Sequence, residues 1–204
     1  MIVSGPSGAG KSALVAKTLK AMPRLNFSVS YTTRAPRGNE CNGAEYFFVD
    51  RGTFLKIRDR GEFLEWAEVH GNYYGTSRTF VDMLIQNGDD VILDIDVQGA
   101  HIIRGERPDA VAVFVLPPSY KVLRDRLRGR RLDDESVIEK RLQIACREIS
   151  RYKEYDYLIV NENLDHAAKE LESIVLSSRC RLFSRIDAAM SILETFGGMD
   201  AKDT

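Results

Sequence analysis

Eight consecutive residues near the head of the chain, Gly5-Pro6-Ser7-Gly8-Ala9-Gly10-Lys11-Ser12, leave little freedom in what this sequence can fold into. They fit the pattern G-x-x-x-x-G-K-[ST] without a mismatch, which chance produces in on the order of one in a hundred chains of this length. The flanks are the ones the pattern needs. Ile2-Val3-Ser4 reads as the end of a β-strand, and Ala13 to Leu19 reads as a helix with Leu14, Val15 and Leu19 on one face. Glycines at 5, 8 and 10 let the backbone turn tightly, so that successive N–H groups point at one phosphate chain. The positive end of the new helix adds to that attraction. Lys11 supplies a mobile point charge for the β- and γ-phosphates, and the Ser12 hydroxyl a ligand for Mg²⁺. The whole stretch, with Pro6, Ser7 and Ala9 as its remaining members, reads as a nucleoside triphosphate site.

The rest of the composition bounds what else the chain can be. With 204 residues, 44% of them hydrophobic and 29% charged, it forms one α/β unit with an inserted subregion or two small domains. A net charge of −1 lacks the cationic surplus of a general polyanion binder, so no nucleic-acid partner is expected. No apolar run approaches membrane-spanning length and Met1 leads straight into the first strand, so neither a membrane partner nor a secretory leader is expected. Cys41, Cys146 and Cys180 are odd in number, widely spaced and outside any CxxC, which suits a reducing, cytoplasmic setting. His70, His101 and His166 have no ligand spacing, and a transition-metal site is not expected.

Hydrophobic periodicity orders the remainder. A short strand is expected at Phe27-Ser28-Val29-Ser30, followed by a polar stretch to Ala44 broken at Pro36, Gly38 and Gly43. Glu45 to Val49 is β-like, Thr53 to Arg60 a short helix, and Phe63 to His70 a strand with no purely apolar face, hence one that faces a polar site. Gly71-Asn72 predicts a hairpin into Tyr73-Tyr74-Gly75, and Ser77 caps a helix to Gln86. Val91 to Asp96 and Val111 to Leu116 are buried strands, and Ser119 caps a helix carrying Leu123 and Leu127. A long helix from about residue 136 to 152, a last strand at Tyr157 to Val160 and a helical tail to about Glu194 complete the chain. Strands alternating with helices predict a three-layer α/β/α core around a parallel sheet, and residues 31 to 76 predict a small mixed or antiparallel insert.

Several separated stretches together resemble guanylate kinases: Ser30-Tyr31-Thr32-Thr33-Arg34-Ala35-Pro36-Arg37, Asn42-Gly43-x-x-Tyr46, Phe63 to Ala67, Gly71 to Gly75, and Leu93-Asp94-Ile95-Asp96-Val97-Gln98-Gly99. Arg126-Leu127-x-x-Arg130 with Arg141 is similar to the arginines of that family's lid, and Val160-Asn161 to its closing strand. The resemblance covers roughly residues 1 to 175. It implies ATP + GMP ⇌ ADP + GDP with Mg²⁺, and three parts: a core from 1–30, 77–123 and 142–204, a GMP-binding region at 31–76 and a lid at 124–141.

The residues can be weighed beside that likeness. Arg34 and Arg37, three apart, with Tyr46 following, suit a dianionic monophosphate, although two such arginines alone would read as a solvated loop. Glu65, implied as the base reader with Ser30 and Thr76, can accept together from guanine N1–H and the exocyclic amino group. Tyr74, Asp94 and Asp96 join the implied GMP set, with Asp96 placed at the metal beside Ser12 and no division of roles between the two aspartates read from sequence. Asn161 touches the adenine or caps a turn. Of five arginines between 124 and 131, Arg126 and Arg130 share a helical face; with Lys11, Arg37 and Arg141, Arg130 is implied in catalysis, and Arg126 and Arg130 in ATP binding, while Arg124 and Arg128 read as solvated. Intact lysine and arginines argue against an inactive protein-interaction domain, and Glu65 and Ser30 argue against a kinase of another small phosphorylated metabolite. Beyond residue 177, Leu182, Phe183, Ile186, Ala189, Met190 and Leu193 recur at helical spacing, a stripe suited to an intramolecular or subunit contact, a homodimer or higher homo-oligomer in the latter case.

Overall fold

The short apolar strand at the head of the chain lies at the centre of the molecule. A computed structural model describes residues 1–69, 71–129 and 134–196. In chain order the first half runs β1 (Ile2–Ser4), α1 (Lys11–Ala21), β2 (Leu25–Phe27), β3 (Ser30–Thr32), β4 (Tyr46–Phe48), α2 (Arg51–Asp59), β5 (Phe63–Val69) and β6 (Asn72–Ser77). The second half runs α3 (Arg78–Gln86), β7 (Asp90–Asp94), α4 (Val97–Glu106), β8 (Ala112–Leu116), α5 (Tyr120–Gly129), α6 (Glu135–Ile149), a 3₁₀ turn (Tyr152–Glu154), β9 (Tyr157–Val160), α7 (Leu164–Arg179) and α8 (Leu182–Thr195).

Five strands form a parallel sheet in the order β2-β7-β1-β8-β9. Neighbouring residues of a strand point to opposite faces, and β1 is apolar on both. Val3 packs with Leu14, Val15, Val113, Ile159 and Leu171 under α1 and α7. Ile2 packs with Val81, Leu84, Leu93, Ala100 and Ile103 under α3 and α4. Leu14 is fully buried, and truncating it to alanine would cost about 2–5 kcal/mol. The consequence for function is positional: the glycine loop leaves the carboxyl end of the central strand, where ligands of open α/β sheets bind.

The second sheet has the order β4-β3-β6-β5, with β3 and β4 parallel and the other pairs antiparallel. Aromatic contacts hold it: Tyr31 lies 4.9 Å from Phe47, and Phe54 of α2 lies 4.6 Å from Phe63. Leu64, next to a register shift between Phe63 and Glu65, reaches into the core cluster beneath α4. A third cluster, Leu123, Leu127, Ile138, Leu142 and Ala145, joins α5 to α6 as a helical hairpin.

The structure differs from the expectation at four points. The strand expected over 27–30 is two strands: β2 ends at Phe27 in the parallel sheet, and β3 begins at Ser30 in the other. The strand expected to reach Asp96 stops at Asp94, because Asp96 instead caps α4 by accepting from the Gln98 and Gly99 N–H groups. Helix α4 itself was not expected, since Gly99 and Gly105 weaken its propensity and burial of Ala100 and Ile103 compensates. The tail is two helices, broken at Cys180 and Arg181.

Candidate active site

The glycine loop is built by backbone geometry. Gly5, Gly8 and Gly10 have φ of 141°, 90° and 91°. A Cβ on Gly5 would meet the Val115 carbonyl oxygen at 2.2 Å, so only glycine lets β8 lie this close. The Lys11 ammonium donates to the carbonyls of Gly5 (2.6 Å) and Pro6 (3.2 Å), folding back across the loop mouth. Ser12 Oγ donates to Asp94 Oδ2 at 2.8 Å. Pro6 and Ala9 are buried in the loop's floor, and Ser7 is exposed at the cavity wall.

Arg126 and Asn161 act on this loop from behind. Asn161, 4% exposed, donates through Nδ2 to the Ala9 carbonyl at 2.9 Å. Arg126 donates to the same carbonyl and to the Asn161 carbonyl, at 3.3 and 2.8 Å. Both side chains, taken from sequence toward the nucleotide, are engaged in bracing the loop, and neither lines the cavity. Arg128 stands in solvent, as expected, and there pairs with Glu135 across the α5–α6 hairpin. Arg130 lies outside the described residues. Arg141 of α6 faces the cavity, one and two turns before Ile144 and Glu148.

One cavity of about 740 Å³ joins the loop to the second sheet. Its walls include Lys11, Ser12, Asp94 and Asp96 on the core side, Ser30, Arg34, Arg37, Tyr46, Glu65 and Tyr74 on the insert side, and Arg141 on α6. The strand expected to face a polar site does so: Glu65 and Ala67 line the cavity while Trp66 and Glu68 face solvent.

Within the insert, Arg34 is pre-formed as a donor fork. Glu40 accepts from its Nη2 at 2.9 Å and also accepts the Arg37 backbone N–H at 2.7 Å. Burial pushes the Glu40 carboxyl up, but those bonds outweigh it and hold the group below the usual carboxylate range. The Arg34 guanidinium lies 5.4 Å from the centre of the Tyr46 ring. Burial, and then the nearby Asp94 carboxylate, push the Tyr46 phenol up to about 12, so it remains a hydrogen-bond donor. Glu65 is 6% exposed and accepts from Thr76 Oγ1 at 2.6 Å, with Thr76 fully buried behind it. Burial pushes its carboxyl up to about 7 against that bond, and Asp96 adds to the rise.

Glu40 and Glu148 escaped the sequence reading. Glu40 had a signal in its position three residues after Arg37, and Glu148 in its seven-residue spacing from Arg141. Burial raises the Glu148 carboxyl to about 7, with Lys11 opposing and Asp96 reinforcing the shift.

A parallel sheet that delivers a phosphate loop to one wall of a cleft, with a separate polar pocket on a second sheet, defines a P-loop kinase that moves a phosphoryl group between two small molecules. The sequence model of the guanylate kinase family matches residues 1–178. Guanylate kinase of Aromatoleum aromaticum is 52% identical over 181 residues, 89% of each chain. That of Salmonella paratyphi A is 50% identical over 94% of this chain and 95% of its own. The crystal structure of guanylate kinase from Anaplasma phagocytophilum superposes with a TM-score of 0.81 at 33% identity, covering 98% of this chain and 95% of that one. The chain belongs to the guanylate kinase family, and it is a nucleoside monophosphate kinase, a phosphotransferase.

Proposed function

We propose that the chain carries out ATP + GMP ⇌ ADP + GDP through residues gathered around this one cavity, with Mg²⁺ as its metal. The observation that carries the reading is the shared cavity itself, with a triphosphate loop on one wall and the buried Glu65–Thr76 pair beside the Arg34 fork on another. The loop amides and Lys11 hold the ATP phosphates. Arg34, Arg37 and Tyr46 take the GMP phosphate, which displaces Glu40 from a fork already set for bidentate binding. Ser30, Glu65 and Tyr74 receive the base, with Thr76 holding Glu65 from behind. Arg141, joined by Arg130, neutralises charge on the phosphoryl group in transit, and no side chain serves as nucleophile.

Ser12 and Asp94, already bonded to each other, form a hydroxyl–carboxylate pair that fits Mg²⁺, an ion that keeps most of its waters and takes few protein oxygens. On this reading the metal side falls to Asp94, and Asp96, which caps α4, to the acceptor side. When bound, the ion polarises the phosphate oxygens. A cytoplasmic setting suits these substrates, and among the described residues no helix is long and apolar enough to cross a membrane. The stripe of α8 is uncharged and exposed, Leu182, Phe183, Ile186, Met190 and Leu193 included, and we assign it to a self-complementary contact with a second copy of the chain. A coupled assay of ADP release with GMP, AMP, UMP and CMP tests the central reaction: turnover confined to GMP supports it, and equal turnover of another monophosphate overturns it.

A further inference from the structure

Helix α4 carries two glycines in a place where glycine weakens a helix, and only one has a neighbour that explains it. A Cβ built on Gly105 meets nothing within 4 Å. A Cβ built on Gly99 would lie 2.6 Å from Glu65 Oε2 and 3.0 Å from Glu65 Cδ. No positive φ demands glycine at position 99, so the space and not the backbone conformation explains the residue. Both walls of the space are anchored. Thr76 of β6 holds Glu65 Oε1, and Asp96 fixes the first turn of α4 by accepting the Gly99 N–H at 2.8 Å. Leu64, beside the reader on β5, is clamped with Ala100 and Ile103 of the same helix. Glu65 therefore has no slack with which to avoid an added methyl group without rotating its carboxylate or displacing α4 from the core.

We infer that Gly99 is a specificity-determining position, whose missing side chain makes the berth that sets the angle of the Glu65 carboxylate toward the base. The inference rests on the reading of Glu65 as the guanine acceptor. Gly99 touches no substrate; it is a positioning residue that acts through Glu65, and its effect belongs to recognition of the acceptor and not to the triphosphate side.

The test is a double-mutant cycle with an internal control. Gly99→Ala should lower kcat/KM for GMP on the order of tenfold to a hundredfold, the cost of a catalytic-site group displaced by about an ångström. It should also narrow the preference for GMP over inosine monophosphate, which lacks the exocyclic amino group, and leave KM for ATP unchanged. Gly105→Ala, in the same helix, should leave all of these unchanged. In the Glu65→Ala background the added methyl has nothing to displace, so Gly99→Ala should there cost little. A Gly99→Ala protein with the kinetics of Gly105→Ala would overturn the inference, as would a penalty that persists in full without Glu65. If Gly99→Ala alone fails to fold while Glu65→Ala/Gly99→Ala folds, the contact is supported; if both fail, the crowding lies elsewhere and the inference is wrong. Glu65→Ala by itself separates the two layers: an unchanged preference for GMP over inosine monophosphate sinks the base-reader assignment, whereas a lost preference with a silent Gly99→Ala sinks only the role of Gly99.

Discussion

The two sheets face one cavity but recognise by different physics. The core side offers backbone to the cavity: three glycines of positive φ, a helix start and one ammonium, none of them shaped to distinguish one nucleoside triphosphate from another. The insert side offers side chains, several of them buried, whose hydrogen bonds are already committed: Glu65 to Thr76, Arg34 to Glu40. A backbone cradle reads charge. A set of buried polar groups reads shape as well, because any ligand that fails to satisfy them leaves them unpaired. The contrast extends to what supports each half, a continuous aliphatic core under the loop and a patchwork of aromatic contacts and ion pairs under the acceptor pocket.

The largest expected effect breaks the core side. Lys11→Ala should lower kcat on the order of 10³-fold while the thermal melt barely moves, since among the described residues its ammonium bonds only to the loop carbonyls of Gly5 and Pro6. Wild-type kcat in a folded Lys11→Ala protein would remove the lysine from phosphoryl transfer. Next is Arg141, which stands between the halves on α6. Arg141→Ala should lower kcat by on the order of 10²-fold and raise KM for GMP much less, because charge in flight exists only in the transition state. Steady-state kinetics that show the loss in KM alone would move Arg141 to ground-state binding.

A smaller effect sharpens the comparison through pH. Glu65 must be ionised to accept from guanine, and its carboxyl is raised to about 7. The kcat/KM for GMP should therefore fall as pH drops through about 7, and Glu65→Gln should flatten that limb. Stability runs the other way. Glu65 and Glu148 both rise from 4.5 to about 7 on folding, so the stability they contribute is full below 4.5 and is lost as pH climbs through 7. Denaturation midpoints at pH 5 and pH 8 check this, and midpoints that rise with pH in wild type but not in Glu65→Gln would reverse the sign. The smallest effect on chemistry is at the tail. Truncation after Cys180 spares Arg179, which bonds Asp90 and the Pro23 carbonyl, and should leave kcat intact while lowering the mass seen by light scattering. An unchanged mass would return the α8 stripe to the monomer.

The core side was legible in sequence because its signature is contiguous: eight residues between a strand and a helix specify loop, charge and metal hydroxyl at once. The insert was legible only in outline. Glu65 and Thr76 meet across the β5–β6 pairing, and Tyr46 reaches the same cavity from β4, through strand pairings that no local pattern encodes, and Glu40 enters through a loop hydrogen bond. Helix α4 was hidden by its glycines, and with it the bonds by which Asp96 accepts from the Gln98 and Gly99 N–H groups. Arg126 and Asn161 were recognised by type, but their engagement with the Ala9 carbonyl depends on α5 and β9 meeting behind the loop.

The account turns on whether selectivity resides in the insert, and Glu65→Gln measures that most directly. The amide keeps the size of the side chain and exchanges one acceptor for a donor. Wild type should prefer GMP over AMP by roughly 10⁴-fold in kcat/KM, the scale set by buried groups left unpaired, with inosine monophosphate between them. Glu65→Gln should lose most of that preference while KM for ATP stays where it was, since the core side reads only phosphate. A variant that kept both the GMP rate and the GMP/AMP ratio would show that the base is read elsewhere and would contradict the division of labour between the two sheets.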